Sequence, residues 1–203
     1  MINKFSRLMV TAADRGRWIA LQDQVTHSHG PEGKHAHGGH AFTTWMDFSL
    51  AADQVAAASG ALQKRYPEQA ADIARREQSL VAELQALDAG FAMAAAELQG
   101  RQLVYSHPVY QYFEARYGMD GLSLHWEPDT MPSEEQWSAL PLEDPGNVLF
   151  VWEGRPLDTI TERLAGLGVH QLVLEPGANH RGDWLALQRR NLEALQAAAV
   201  ASP

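Results

Sequence analysis

The sequence predicts an α/β fold: a four-stranded parallel sheet flanked by helices and preceded by a long linking helix. Two observations carry that expectation. From residue 101 onward, four short apolar runs alternate with segments of helical period. Strands that alternate with helices build a parallel sheet with helices on its faces. Ahead of them, Ile73, Leu80, Leu84, Leu87, Phe91 and Leu98 recur at steps of 7, 4, 3, 4 and 7, a helical stripe held over about 30 residues. A helix of that length is about 45 Å long. That exceeds what a compact body of about 100 residues needs, so the helix is expected to act as a strut between two bodies.

Each element has its own warrant. Residues 1–22 hold one short apolar run, Leu8-Met9-Val10, which reads as a strand, and residues 23–41 form a polar loop rich in His and Gly. The first helix starts with Asp47 as N-cap and carries Leu50, Val55, Ala58 and Leu62 on one face. Pro67 opens the second helix, at a position where its missing N–H costs nothing. Gly90 lies inside that helix at a cost of about 1 kcal/mol against alanine, and Gly100 is a C-terminal stop. Four strand–helix units follow. Leu103–Ser106 precedes a helix at 109–117, and Leu122–Trp126 precedes one opened by the capping box Ser133-Glu134-Glu135-Gln136. Val148–Trp152 precedes a helix from Pro156 to Leu167, and Gln171–Leu174 precedes one from Asp183 to the C-terminus. The expected organisation is residues 1–45 with the His-rich loop, linking helices over 46–100, and an α/β body over 101–203.

Composition removes several classes of function. With 45% hydrophobic and 20% charged residues the chain is an ordinary globular one. A formal net charge of -9, with no Lys/Arg stripe, disfavours nucleic acid and anionic lipid as partners. The absence of cysteine excludes disulfides, thiolate metal sites and a cysteine nucleophile. No apolar run reaches the length of a membrane span. Met1-Ile2-Asn3-Lys4-Phe5 has no apolar h-region behind it, so no signal peptide is expected in this chain. No G-x-S-x-G elbow, P-loop or H-E-x-x-H helix occurs. The tryptophans Trp45, Trp126, Trp152 and Trp184 read as core or sheet-edge packing.

Ligands of an open parallel sheet bind outside the carboxyl ends of its strands. His107 follows the first strand, His125 and Glu127 close the second, Glu153 the third and Glu175 the fourth. Imidazoles and carboxylates converging on one edge invite a cation or a shared proton. This nitrogen/oxygen set suits Zn²⁺ or Mn²⁺ and suits Cu(I) poorly. His107-Pro108 and Glu175-Pro176 stand out, because proline stops the strand just past the side chain. Glu153 has a local partner in Arg155 and reads as structural.

A second candidate is the loop His27-Ser28-His29-Gly30-Pro31-Glu32-Gly33-Lys34-His35-Ala36-His37-Gly38-Gly39-His40, which carries five of the nine histidines. Neighbouring neutral imidazoles are metal ligands. Ordering such a Gly/Pro-rich loop costs entropy, so metal held by the loop alone is expected to be weakly bound.

Three stretches, in this order, resemble the zinc/manganese substrate-binding proteins of ABC importers, the TroA/ZnuA-like family. The first is the His-rich loop leading into Ala41-Phe42-Thr43-Thr44-Trp45-Met46-Asp47 and the paired helices. The second is Tyr105-Ser106-His107-Pro108-Val109-Tyr110-Gln111-Tyr112-Phe113 with Tyr117-Gly118-Met119. The third is Leu174-Glu175-Pro176-Gly177-Ala178 with Asn191-Leu192 on the last helix. The likeness covers about residues 25–200. It implies the C-terminal lobe of a periplasmic, non-enzymatic protein that binds Zn²⁺, with Mn²⁺ as the alternative, and delivers it to a membrane permease. It implies His107 and Glu175 as metal ligands. The family commonly has histidine where this chain has Thr43, so a further ligand is expected from His40 or His37. His27, His29 and His35 are expected loop contacts, and His125 and Glu127 outer or alternative ligands. Glu175 also replaces the family's usual aspartate. Most of the family's first lobe has no counterpart here; residues 1–22 match at most its last strand, so weaker and less selective binding is expected. A soluble metal buffer built on the loop, and a metal-dependent hydrolase using His107, His125 and Glu127, are the competing readings.

Overall fold

The computed structural model describes residues 18–20, 26–28, 34–36 and 40–200. The strand expected at Leu8–Val10, and the loop residues His29 and His37, lie outside them. Two short strands, β1 (Thr26–Ser28) and β2 (Lys34–Ala36), pair antiparallel, with His27 and His35 opposite each other in register.

A short 3-10 turn at Thr44–Met46 leads into α1 (Phe48–Arg65). Asp47 caps it as expected: Oδ1 accepts from the Ser49 and Leu50 amides at 2.9 and 3.2 Å, satisfying two N–H groups that the first turn leaves open. Another 3-10 turn, Pro67–Gln69, opens α2 (Ala70–Glu97), whose 28 residues span about 42 Å. The core contact of α2 begins at Leu80 and runs through its second half. Leu84, Leu87, Phe91, Ala94 and Ala95 are buried, whereas Ile73 and Leu80 are half-buried and no residue from 60 to 83 is buried. The first half of α2 and the second half of α1 therefore support each other rather than the sheet.

The sheet has four parallel strands: β3 (Gln102–Tyr105), β4 (Gly121–Ser123), β5 (Val148–Trp152) and β6 (His170–Val173). Their spatial order is β4-β3-β5-β6. All five residues of β5 are buried, and alternate side chains feed two cores. Leu149 and Val151 join Phe48, Phe91, Phe113 and Leu195 on the face covered by α1, α2, α3 (Gln111–Tyr117) and α6 (Trp184–Val200). Val148, Phe150 and Trp152 join Trp126, Trp137, Ile160 and Leu164 on the face covered by α4 (Glu134–Ser138) and α5 (Asp158–Gly166). A sheet sealed on both faces leaves its edges and strand ends for chemistry. The expected strand–helix units are all present. The expected capping box at Ser133 and Gln136 closes in both directions, at 3.3 and 2.8 Å.

Strand order decides where a ligand fits. From β3 the chain moves to β4 on one side, then returns to place β5 on the other. That reversal is a topological switch point, where the loops leaving β3 and β5 part and open a crevice beyond the carboxyl ends.

Candidate metal centre

His107 and Glu153 leave β3 and β5 at that crevice. Between them, Ser106 is fully buried and bonded on three sides. Its amide donates to the Val151 carbonyl at 2.9 Å, its carbonyl accepts from Trp126 N at 2.9 Å, and its Oγ accepts from Glu153 N at 3.1 Å. Ser106 is thus a clamp joining the ends of β3, β4 and β5, which accounts for a serine that lacks elbow glycines.

His107 is 7% exposed. Its Nδ1 lies 3.2 Å from Glu153 Oε1, and its Nε2 lies 3.4 Å from Glu127 Oε1. The Nδ1 contact is at ion-pair distance but misaligned, so this buried atom forms no hydrogen bond. An imidazole taken out of water with a nitrogen unsatisfied is costly unless a cation or proton joins it. His107, Glu127 and Glu153 form a group whose ligand atoms all lie within 4.8 Å of one another, close enough to share one ion. His125 stands beside it, its ring edge-to-face with His107 at 5.8 Å.

The sequence reading of Glu153 as the partner of Arg155 gives way here. Arg155 reaches Asp158 at 3.5 Å on the exposed start of α5, while Glu153 turns toward His107. The signal available in the sequence was its place one residue beyond a wholly apolar run; what was missing was the order of the strands.

Glu175 leaves β6, the next strand along, and is not part of the three-residue group. Its backbone is held firmly. Asn191 on α6 is 3% exposed; its Oδ1 accepts from Glu175 N at 3.1 Å and its Nδ2 donates to Glu175 O at 2.8 Å. Next to it, the buried Tyr110 hydroxyl donates to the Leu174 carbonyl at 2.8 Å. Burial raises the Tyr110 pKa well above the ordinary phenol value, and the charges of Glu153, Tyr105 and Glu175 add to the rise. That phenol is therefore a fixed donor, and it senses both carboxylates.

The remaining predicted residues scatter. His40 is exposed, with its ring 5.5 Å from that of Trp18, outside the group around His107. His27 and His35 are cross-strand partners in the β1–β2 pair. Thr43, at the position where the resemblance called for histidine, is 1% exposed and donates to the Val109 carbonyl at 2.7 Å.

The model of the periplasmic zinc-uptake complex component A family matches residues 3–198. This chain belongs to that family. Its members bind metal and act as solute-binding proteins rather than enzymes. Among solved structures, a zinc-uptake component A superposes with a TM-score of 0.68 at 17% identity, covering 96% of this chain and 69% of that one. The metal-dependent lipoprotein YcdH of Bacillus subtilis gives 0.68 at 20%, covering 78% and 64%. The Zn(II)-bound domain of Streptococcus pneumoniae AdcA gives 0.63 at 18%, covering 78% and 63%. These likenesses establish the fold. The chain spans just under two thirds of the length of the Bacillus protein and of the Streptococcus domain. No protein of curated function matches the sequence. Among the described residues no helix is long and apolar enough to cross a membrane.

Proposed function

We propose that this chain captures Zn²⁺, with Mn²⁺ as the second candidate, outside the cytoplasm and passes it to the permease of an ABC importer. The observation that carries the reading is the buried His107 imidazole, set at the switch point of the sheet with carboxylates at both nitrogens. Family membership supports uptake as the purpose. Residues 101–203 act as the metal-binding lobe, with His107 after β3 as the anchoring ligand and Glu175 after β6, two strands away, as its partner. The helices of 46–100 link that lobe to whatever it faces. The loop histidines His27, His29, His35, His37 and His40 gather metal at low affinity nearby.

The test is a competition titration of the metal-free chain with Zn²⁺ against a chromogenic chelator, run beside His107→Ala and Glu175→Ala. Loss of the tightest binding phase in both variants is expected. A tightest phase untouched by both substitutions refutes the assignment and leaves a metal buffer built on the loop.

A further inference from the structure

Thr43 supplies no imidazole, and its hydroxyl is committed to the Val109 carbonyl. An ion held by His107, as in the proposed function, therefore needs another donor, and the choice of that donor rests on the same reading. Glu127 meets the need. Its Oε1 stands 3.4 Å from His107 Nε2, longer than a good N–H···O hydrogen bond. Two donors each about 2.1 Å from a tetrahedral zinc ion stand about 3.4 Å apart. The separation is thus that of two ligands on one ion. The backbone around Glu127 is pinned on both sides: Trp126 N donates to the Ser106 carbonyl, and the Pro128 carbonyl accepts from Leu157 N, each at 2.9 Å. The carboxylate itself is 63% exposed, so it is free to meet an arriving ion.

The opposite nitrogen of the ring has a different partner. Nδ1 is buried, makes no hydrogen bond, and has Glu153 Oε1 3.2 Å away. The Glu153 amide is held on Ser106 Oγ, which fixes where that carboxylate starts. Metal-bound imidazoles donate their other N–H to a carboxylate or carbonyl, and this fixes the tautomer. We propose that Glu127 is a direct ligand of the ion held by His107 Nε2. In the same proposal Glu153 is the positioning carboxylate whose charge, 3.2 Å from Nδ1, favours the proton on that nitrogen.

The experiment uses the full chain, metal-free and then titrated with Zn²⁺ against a chromogenic chelator. Glu127→Gln keeps the shape and removes the charge. It is expected to weaken the tightest phase at least tenfold while leaving the melting temperature of the metal-free protein unchanged. Glu153→Gln is expected to weaken it about 10–100-fold, with Glu153→Asp restoring part of the loss. In ¹⁵N spectra of the metal-free protein, His107 should be the Nδ1–H tautomer, shifting toward Nε2–H in Glu153→Gln. An Nε2–H tautomer in the unmodified chain overturns the role of Glu153. If His107→Ala abolishes the phase and Glu127→Gln changes it less than tenfold, the ligand assignment falls and the proposed function stands. If His107→Ala leaves the phase intact, both fall.

Discussion

Replacing Glu114 with glutamine should stabilise the protein at pH 8 and leave it unchanged at pH 4. Glu114 lies on α3, half-buried, with its carboxyl accepting from the Gly121 amide where β4 begins. Burial, and the charge of Asp120 next to it, push its pKa from 4.5 up to about 7; the Gly121 hydrogen bond pulls only partly the other way. Between those two values the folded chain holds a proton that the unfolded chain has released. Stability therefore falls as pH rises from about 4.5 to about 7 and is flat beyond. One pKa unit is about 1.4 kcal/mol, so the contribution is at most about 3 kcal/mol. Solvent screening of a partly open side chain reduces it to about 2 kcal/mol. Glutamine keeps an acceptor for Gly121 and removes the charge. Urea unfolding of the metal-free protein, followed by tryptophan fluorescence, gives the difference between variant and parent at each pH. A difference that is the same at pH 4 and pH 8, or a glutamine variant less stable at pH 8, refutes the reasoning.

Three further outcomes are expected. Phe91 is fully buried, with ring centroids of Phe48, Phe113 and Tyr117 at 5.1, 5.8 and 5.9 Å; Phe91→Ala should cost about 3–5 kcal/mol in urea unfolding, and a loss below about 1 kcal/mol contradicts the packing. Thr43→Val leaves the Val109 carbonyl without its donor and should cost about 1–3 kcal/mol, with a neutral result showing that the hydroxyl bond is not made. Deleting residues 27–40 should remove the weak Zn²⁺ phases in the chelator titration and spare the tightest one. Loss of every phase contradicts a site in the α/β lobe.

Much of the fold was legible because it rests on local signals. Asp47 caps, the Ser133 box closes, and β5 runs from Val148 to Trp152 as the apolar run indicated. The expected strand to Trp126 stops at Ser123, yet the chain still follows β3: Leu124 N donates to Tyr105 O and Trp126 N to Ser106 O, at 2.8 and 2.9 Å. The apolar pattern of 122–126 thus reported a real alignment in irregular form. What local signals do not carry is strand order. Glu153 and His107 are 46 positions apart, and only the placement of β5 beside β3 brings them together. Arg155 offered Glu153 a plausible neighbour two residues away, but such i,i+2 side chains in an extended loop need not meet, and Arg155 found Asp158. The same limit applies to α2, where the periodic stripe specified a face but not how much of it would be covered.

Residues 41–47 show how that missing order is enforced. Thr43 Oγ1 donates to the Val109 carbonyl, just past His107, and Trp45 Nε1 donates to the Pro176 carbonyl, just past Glu175, at 2.7 and 2.8 Å. The contacts reach across 66 and 131 positions. One seven-residue stretch therefore braces the loops of both expected ligands, and the Asp47 cap welds that stretch to α1. The two loops leave different strands and are tied to different helices. Without the brace each would fluctuate on its own strand end, and a site spanning them would have to form against that motion. With it, a displacement of α1 moves both loops together. The hairpin of α1 and α2 is then more than a spacer: it carries the stretch that holds the two loops at one spacing.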